Sequence, residues 1–367
     1  MKQLGLVALL LTSLVQGEQR EQTTVNKWAG VDTAFATVIE QKHIPGLAAV
    51  ITVDGKIVWK KEHGFSDSRR EVPVTIDTPF WIASVTKPFV ALTYLHLEQA
   101  GRLDLSELAK DTPDFTGLCE WLAGTSIPFN EGLQCHADIT IDHILHHQAN
   151  FEPGTRFMYN PIFYSRLSRH LEHKFGEGIG KVEGRHNTLG QFIDQYILQP
   201  ADMQNTMASM WDPQKARVYQ LMADGFRVGD KGQREKLRQP AKHIAGGAGM
   251  VATVADLVKF EQGLTTQFLA PGTIGKKLYA TPTFDNGQPA PYGYGWYFQQ
   301  YKGLKLMWHS GWDPEAGYSA MYLRIPEKKI AMIILANSEG IWWGNRLDKA
   351  EIEKSPLAQA LLESLLL

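Results

Sequence analysis

The most informative stretch for the architecture is LAAVITVDGKIVWK, residues 47–60. Two apolar runs rich in β-branched residues flank Asp54-Gly55, a dipeptide that is typical of a tight β-hairpin in this position. Just before this stretch, residues 28–41 carry apolar side chains at helical spacing, and a Pro-Gly pair ends that pattern. The sequence therefore predicts a helix followed by two antiparallel strands.

The rest of the chain changes from helical patterns back to strand patterns. Residues 84–100 favour a helix that Gly101 ends, and further helical stretches follow to residue 240. Strand patterns return at 292–299, 304–308, 318–324 and 330–336, and a last amphipathic helix covers 357–367. Strands at both ends of a chain can share one sheet only if the middle forms a separate lobe.

We therefore predict an α+β fold: a mainly antiparallel sheet flanked by N- and C-terminal helices, with a mostly helical second lobe inserted. The sheet lobe comprises residues 25–83 and 245–367, and the helical lobe comprises residues 84–244. A cleft between two lobes is a natural place for a ligand or active site.

Charge and the first residues indicate the compartment and exclude one class of partner. The chain carries 37 basic and 39 acidic residues, mixed along its length, without the basic stripe of a nucleic-acid-binding protein. A lysine at position 2, an apolar run and small residues near Gly17 predict a secretory signal peptide, residues 1–17. The alternative is an uncleaved anchor, although the run is shorter than the roughly 20 residues that span a bilayer. We expect an exported protein, periplasmic or secreted, with no stable membrane span.

The chain has only two cysteines, Cys119 and Cys135. In an oxidising compartment such a nearby pair favours a disulfide, which by loop-closure entropy stabilises the fold by about 3 kcal/mol. The alternative is two buried thiols. A single pair does not favour a zinc site.

Ser84-Val85-Thr86-Lys87 places a serine and a lysine one turn apart at the predicted start of a helix. Residues three positions apart share a helix face, so the lysine amine can reach the serine hydroxyl. The N–H groups and the dipole at a helix N-terminus favour a developing anion, and a neutral lysine can take the serine proton. Taken alone the tetrapeptide is weak evidence, since a serine cap beside a solvated lysine has the same sequence.

Several longer segments extend the pattern around this tetrapeptide. They are Trp81–Val90 (WIASVTKPFV), Glu152–Tyr159 (EPGTRFMY), Pro200–Thr206 (PADMQNT), Ala245–Phe260 (AGGAGMVATVADLVKF), Tyr292–Trp296 (YGYGW) and His309-Ser310-Gly311. In this order they resemble the β-lactamase family of serine hydrolases. That family includes class C β-lactamases, D-alanyl-D-alanine carboxypeptidases, D-aminopeptidases and family VIII-type esterases. The resemblance implies the β-lactamase/transpeptidase-like fold.

The resemblance also implies a role for each matched residue. Ser84 would attack a carbonyl carbon and form an acyl-enzyme, and Lys87 would deprotonate the Ser84 hydroxyl. Tyr159 would share that proton and return it to the leaving group, and His309 would tune Tyr159 or shuttle the proton. The backbone N–H groups of Ser84 and Trp312 would form the oxyanion hole. The competing interpretations are a packing role for Tyr159 and a structural, fully hydrogen-bonded position for His309.

One departure from the family pattern affects substrate recognition. The usual Y-x-N motif reads Tyr159-Asn160-Pro161, so proline occupies the position of the family's substrate-binding asparagine. We name Asn160, Gly311 and Trp312 as candidate substrate contacts. The change weakens the expectation of β-lactam or D-alanyl-peptide recognition and favours esters, whose leaving groups need less assistance.

The remaining patterns point to no further chemistry. His143, His146 and His147 lie within helical reach of one another, but neither HExxH nor a matching carboxylate cluster accompanies them, so we predict no metal and no cofactor. The aromatic cluster of Trp308, Trp312, Trp342 and Trp343 fits an acyl pocket as well as a packed core.

We therefore expect an exported serine hydrolase of small esters, amides or peptides. A D-alanyl-D-alanine carboxypeptidase or β-lactamase, and a non-catalytic relative that binds peptidoglycan or a partner, are the alternatives.

Overall fold

The computed structural model of the protein describes residues 27–176, 181–182, 185–186, 188–208, 215–240, 245–346 and 348–366. The predicted signal peptide, residues 1–17, lies outside the described residues. Within the described ranges, no helix is both long and apolar enough to cross a bilayer.

The described chain alternates strands and helices. The strands are β1 (Gly46–Val53), β2 (Lys56–Gly64), β3 (Phe80–Trp81), β4 (Lys181–Val182), β5 (Arg185–His186), β6 (Phe226–Val228), β7 (Arg234–Lys236), β8 (Val251–Ala252), β9 (Tyr292–Gly293), β10 (Trp296–Tyr301), β11 (Leu304–Asp313), β12 (Tyr318–Ile325) and β13 (Ile330–Ala336). The α-helices are α1 (Ala29–Gln41), α2 (Lys87–Gln99), α3 (Phe115–Ala123), α4 (Ile141–Leu145), α5 (Pro161–Phe175), α6 (Thr188–Ile193), α7 (Ala216–Gln220), α8 (Val254–Thr265), α9 (Thr273–Tyr279) and α10 (Pro356–Leu366).

A seven-stranded antiparallel sheet in the order β2-β1-β13-β12-β11-β10-β9 joins the two ends of the chain. The first strand pairs with the last, from Leu47 opposite Ala336 to Val53 opposite Ile330. β12 and β13 are buried along their whole length, so both faces of the middle of the sheet are covered. The predicted α+β architecture is therefore confirmed, whereas the division into two lobes stays a prediction.

The hairpin between β1 and β2 follows from its two turn residues. Val53 pairs with Lys56 across Asp54 and Gly55, whose φ angles are 51° and 72°. A two-residue hairpin turn of this kind requires positive φ at both positions, which glycine and aspartate tolerate better than most residues. This local chemistry fixes the register beside the turn, and farther along the register shifts between Ile51 and Thr52.

The segment predicted as one strand over 292–299 is divided. A turn at Tyr294-Gly295 separates β9 from β10, and both turn residues have positive φ. A Cβ on Gly295 would lie 2.6 Å from the carbonyl oxygen of Lys87. The glycine thus allows this turn to pack directly against the start of α2.

The predicted disulfide between Cys119 and Cys135 is present. It ties α3 to the loop that leads towards α4, and Cys119 is buried. The two cysteines therefore close a short loop in the helical part of the chain rather than serving as free thiols.

Candidate active site

Ser84 lies in a 3₁₀ turn, Ala83–Thr86, that runs directly into α2. The residue before it, Ala83, has a φ of 46°, in the left-handed region that costs a non-glycine residue about 1 kcal/mol or more. Ser84 is half-buried, whereas Ala83, Val85 and Thr86 are buried. Strain of this kind concentrates at functional sites, where it fixes the direction of one side chain.

Lys87 is completely buried, and its amine contacts two oxygen atoms. Its Nζ lies 3.1 Å from Ser84 Oγ and donates to the carbonyl oxygen of Gly247 at 2.8 Å. Burial lowers the pKa of Lys87 well below that of an ordinary lysine, because a low-dielectric surrounding disfavours the charged form. The geometry therefore presents a serine hydroxyl to an amine whose neutral form is favoured.

Tyr159 approaches the same hydroxyl from another direction. Its side chain interacts with that of Ser84, and the centre of its ring lies 4.7 Å from Lys87 Nζ. Burial raises the pKa of Tyr159, although the interaction with the Ser84 hydroxyl partly offsets that effect. The phenol thus keeps its proton at neutral pH and is able to donate it.

His309 is also buried, but its two ring nitrogens are hydrogen-bonded to groups other than Tyr159. Its Nδ1 lies 2.7 Å from the carbonyl oxygen of Ser310, and its Nε2 lies 3.1 Å from the hydroxyl of Tyr292. A carbonyl accepts only, so Nδ1 carries the proton and Tyr292 donates to Nε2. The centres of the His309 and Tyr159 rings are 6.0 Å apart. His309 therefore adjoins the phenol and contacts its neighbour Tyr292.

The end of β11 runs alongside the 3₁₀ turn that carries Ser84. β10 pairs with β11 only as far as Trp308, and within the described residues no strand covers residues 309–313 on that side. A Cβ on Gly311 would lie 2.3 Å from the carbonyl oxygen of Ile82, so only glycine permits this approach. This contact holds the end of β11 beside the turn that carries Ser84.

Asn160 does not have the orientation expected of a substrate contact. It is the N-cap of α5, where its Oδ1 accepts the N–H groups of Ile162 and Phe163 at 3.1 and 3.0 Å. Its Nδ2 donates to Asn150 Oδ1 at 2.8 Å, and only 2% of the residue is exposed. Pro161 then occupies the first helical position, where its missing N–H costs nothing. The amide is thus used to start a helix.

The predicted aromatic cluster divides into a buried part and an exposed part. Trp308 is fully buried and stacks on Tyr297 with ring centres 4.2 Å apart. Trp312 is 42% exposed and stacks on Trp342 at 5.1 Å, and its Nε1 donates to Glu339 at 3.0 Å. Core packing therefore accounts for Trp308, and Trp312 is available at the surface.

The three neighbouring histidines are held by local hydrogen bonds. His143 caps the start of α4 through Thr140, and His146 bonds to the backbone of Asp142. His147 Nδ1 accepts the backbone N–H of Asn160 at 3.1 Å. Sequence reasoning assigned no role to His147, Gly247 or Tyr292, although all three lie in or beside segments that carry the family resemblance.

Comparisons with known proteins agree with the fold and with the segments that carry the family resemblance. The model of the family described as Beta-lactamase matches residues 31–353. A D-aminopeptidase from Gluconobacter oxydans is 24% identical over 314 residues, covering 80% of this chain and 56% of the relative. Penicillin-binding protein 4* from Bacillus subtilis is 23% identical over 359 residues, covering 86% of this chain and 72% of the relative. This chain thus spans less than two thirds of the length of that D-aminopeptidase.

Among solved structures, the octameric penicillin-binding protein homologue from Pyrococcus abyssi superimposes with a TM-score of 0.68 at 21% sequence identity. The match covers 91% of this chain and 76% of that protein. At this identity the similarity establishes the fold alone. The family match, by contrast, extends over most of the chain, and we conclude that this protein belongs to the β-lactamase family of serine hydrolases.

Proposed function

We propose that the protein hydrolyses small esters or amides through an acyl-enzyme on Ser84. The observation that carries this proposal is the buried amine of Lys87, 3.1 Å from Ser84 Oγ, with the buried side chain of Tyr159 beside the same pair. A nucleophile needs a base within hydrogen-bond reach, and a buried lysine supplies one. A solvated surface lysine beside a capping serine would have neither feature.

In the proposed reaction, Ser84 Oγ attacks the substrate carbonyl carbon and its proton passes to neutral Lys87. The carbonyl oxygen becomes an oxyanion that the backbone N–H groups of Ser84 and Trp312 stabilise, an effect worth a few kcal/mol. When the intermediate collapses, Tyr159 gives its proton to the departing alcohol or amine, and Lys87 re-protonates the phenolate. Water then takes the place of the alcohol or amine and attacks the acyl-enzyme. The proton transfers run in the opposite direction, which releases the acid and restores Ser84.

The choice of small esters and amides rests on the start of α5. Asn160 is used as a helix cap and Pro161 follows it, so this turn offers no amide to an acylamino side chain. The similarity to a protein named D-aminopeptidase supports amides of D-amino acids beside simple esters. Export to an oxidising compartment, which we also propose, agrees with the disulfide between Cys119 and Cys135.

The test is turnover of a substrate panel by wild type and Ser84→Ala. The panel contains p-nitrophenyl esters, D-amino-acid amides, a D-alanyl-D-alanine peptide and the β-lactam nitrocefin. We expect hydrolysis of esters or amides that Ser84→Ala abolishes. Efficient nitrocefin or D-alanyl-D-alanine hydrolysis would replace the proposed substrate class, and turnover that survives in Ser84→Ala would contradict the proposal.

A further inference from the structure

His147 lies at the centre of a cluster of aromatic side chains near the candidate nucleophile, Ser84. Its ring centre is 4.4 Å from that of Tyr159, 4.6 Å from that of Tyr292 and 5.0 Å from that of Tyr164. Only 2% of the residue is exposed. Its φ of 53° is one that histidine adopts more readily than most side chains, so the backbone turns sharply to bring the imidazole inwards.

Two hydrogen bonds connect His147 to the peptide groups on both sides of Tyr159. The carbonyl oxygen of His147 accepts the N–H of Met158 at 2.9 Å. Its Nδ1 accepts the N–H of Asn160 at 3.1 Å. A single residue thus holds the backbone immediately before and immediately after the tyrosine, and so limits the positions that the phenol can reach.

The bond from Asn160 also defines the protonation state of the imidazole. Because the backbone N–H is a donor, Nδ1 must be the unprotonated nitrogen and the proton is on Nε2. Burial lowers the pKa of His147 well below its usual range. Among the described residues Nε2 has no hydrogen-bond partner. A buried N–H without a partner is unfavourable, so stability alone gives little reason for a histidine here.

We propose that His147 is the positioning residue for Tyr159: through its carbonyl oxygen and Nδ1 it holds the phenol beside Ser84 and Lys87. This inference rests on the proposed function, in which Tyr159 protonates the leaving group. A displacement of about 1 Å at a reacting group can cost roughly a hundredfold in rate. His147 itself touches neither the nucleophile nor, in this proposal, the substrate.

The test uses two substitutions at His147, of which only one keeps a hydrogen-bond acceptor in the side chain. His147→Asn keeps an acceptor oxygen near the place of Nδ1 and tolerates positive φ, whereas His147→Phe keeps a flat ring without an acceptor. The values of kcat/KM are measured for ethyl butyrate, whose leaving group needs a proton, and for p-nitrophenyl butyrate, whose leaving group does not. Thermal unfolding of each variant is measured separately.

We expect His147→Phe to lower kcat/KM for ethyl butyrate about a hundredfold, with a much smaller effect on p-nitrophenyl butyrate, and His147→Asn to recover most of the loss. In the Tyr159→Phe background, His147→Phe should have no further effect, because residues that act as one unit are not additive.

Equal losses on both esters, or a full additional loss in the Tyr159→Phe background, would overturn the role of His147 and leave the proposed function intact. If His147→Phe does not fold, a loss of more than tenfold on ethyl butyrate in folded His147→Asn overturns it as well. A wild-type protein that hydrolyses neither these esters nor the D-amino-acid amides, or unchanged ethyl butyrate hydrolysis in Tyr159→Phe, would instead contradict the proposed function on which the inference rests.

Discussion

The amine of Lys87 is anchored by the carbonyl oxygen of Gly247, at 2.8 Å. Gly247 lies just before β8, far along the chain from Lys87, and packs against the first turn of α5. The same helix begins directly after Tyr159 and its cap, Asn160. The position of the amine and the position of the phenol therefore depend on one packing contact.

This contact predicts that Gly247→Ala impairs catalysis. A Cβ at position 247 would lie 2.7 Å from both Pro161 O and Ser165 Oγ, so the segment must shift and carry the carbonyl away from Lys87. We expect kcat to fall tenfold to about a hundredfold and the free energy of unfolding to fall by about 1–3 kcal/mol. Steady-state kinetics and urea unfolding measure the two effects. Gly117→Ala, in α3 with open space around the new Cβ, is the matched control.

Lys87→Met should make the protein inactive and more stable at neutral pH. The unfolded chain protonates this lysine up to an ordinary lysine pKa, whereas burial lowers the pKa in the folded state. Between the two pKa values the unfolded state binds more protons, so the wild type loses stability as the pH falls from about 10.5. The stability gained by Lys87→Met should therefore be larger at pH 7 than at pH 10. Urea unfolding at both values is decisive, and a gain that does not depend on pH would show that Lys87 is charged when folded.

Replacement of Asn160 should affect folding more than substrate binding. Asn160→Ala removes the cap of α5, which costs about 1 kcal/mol, and leaves Asn150 Oδ1 without its donor. Asn160→Ser keeps a capping oxygen and should retain most of the stability. We expect KM to stay within twofold in both variants. A large rise in KM with unchanged unfolding would instead make Asn160 a substrate contact.

Removal of the disulfide should be a purely structural change. The Cys119→Ser/Cys135→Ser variant opens a loop with a sequence separation of 16, for which chain entropy predicts a loss of about 3 kcal/mol in the free energy of unfolding. Activity at 25 °C should be retained, because the bridge lies in α3 and the loop after it. Reduction of the wild type under native conditions should lower thermal stability to a similar extent. A large loss of kcat in a folded variant would indicate that this loop contributes to the site.

Local sequence patterns predicted the parts of the fold that depend on local chemistry. Asp54-Gly55 is sufficient to define the first hairpin, and the three-residue spacing of Ser84 and Lys87 is sufficient to place them on one helix face. Apolar runs between turn residues likewise marked β12 and β13, although such patterns did not reveal the turn at Gly295 that divides β9 from β10.

Contacts between distant segments were not predictable in this way. Glu261 and Arg324 form a buried ion pair between α8 and β12, with Nε and Oε2 2.6 Å apart, and neither residue has a local signal for it. The bond from Tyr292 to His309 and the two bonds from His147 around Tyr159 are of the same kind. Each of these contacts depends on how the strands and helices pack. No fixed spacing of residues in a single sequence signals such a contact.

The central claim is that buried, neutral Lys87 activates Ser84, and the rate of covalent labelling by a fluorophosphonate tests it most directly. The label should map to Ser84 by peptide mass spectrometry, and its rate should rise with pH as Lys87 loses its proton, with the midpoint well below the range of an ordinary lysine. Lys87→Ala should slow labelling by at least a hundredfold while remaining folded. Labelling of another residue, or labelling of Lys87→Ala at the wild-type rate, would contradict the account.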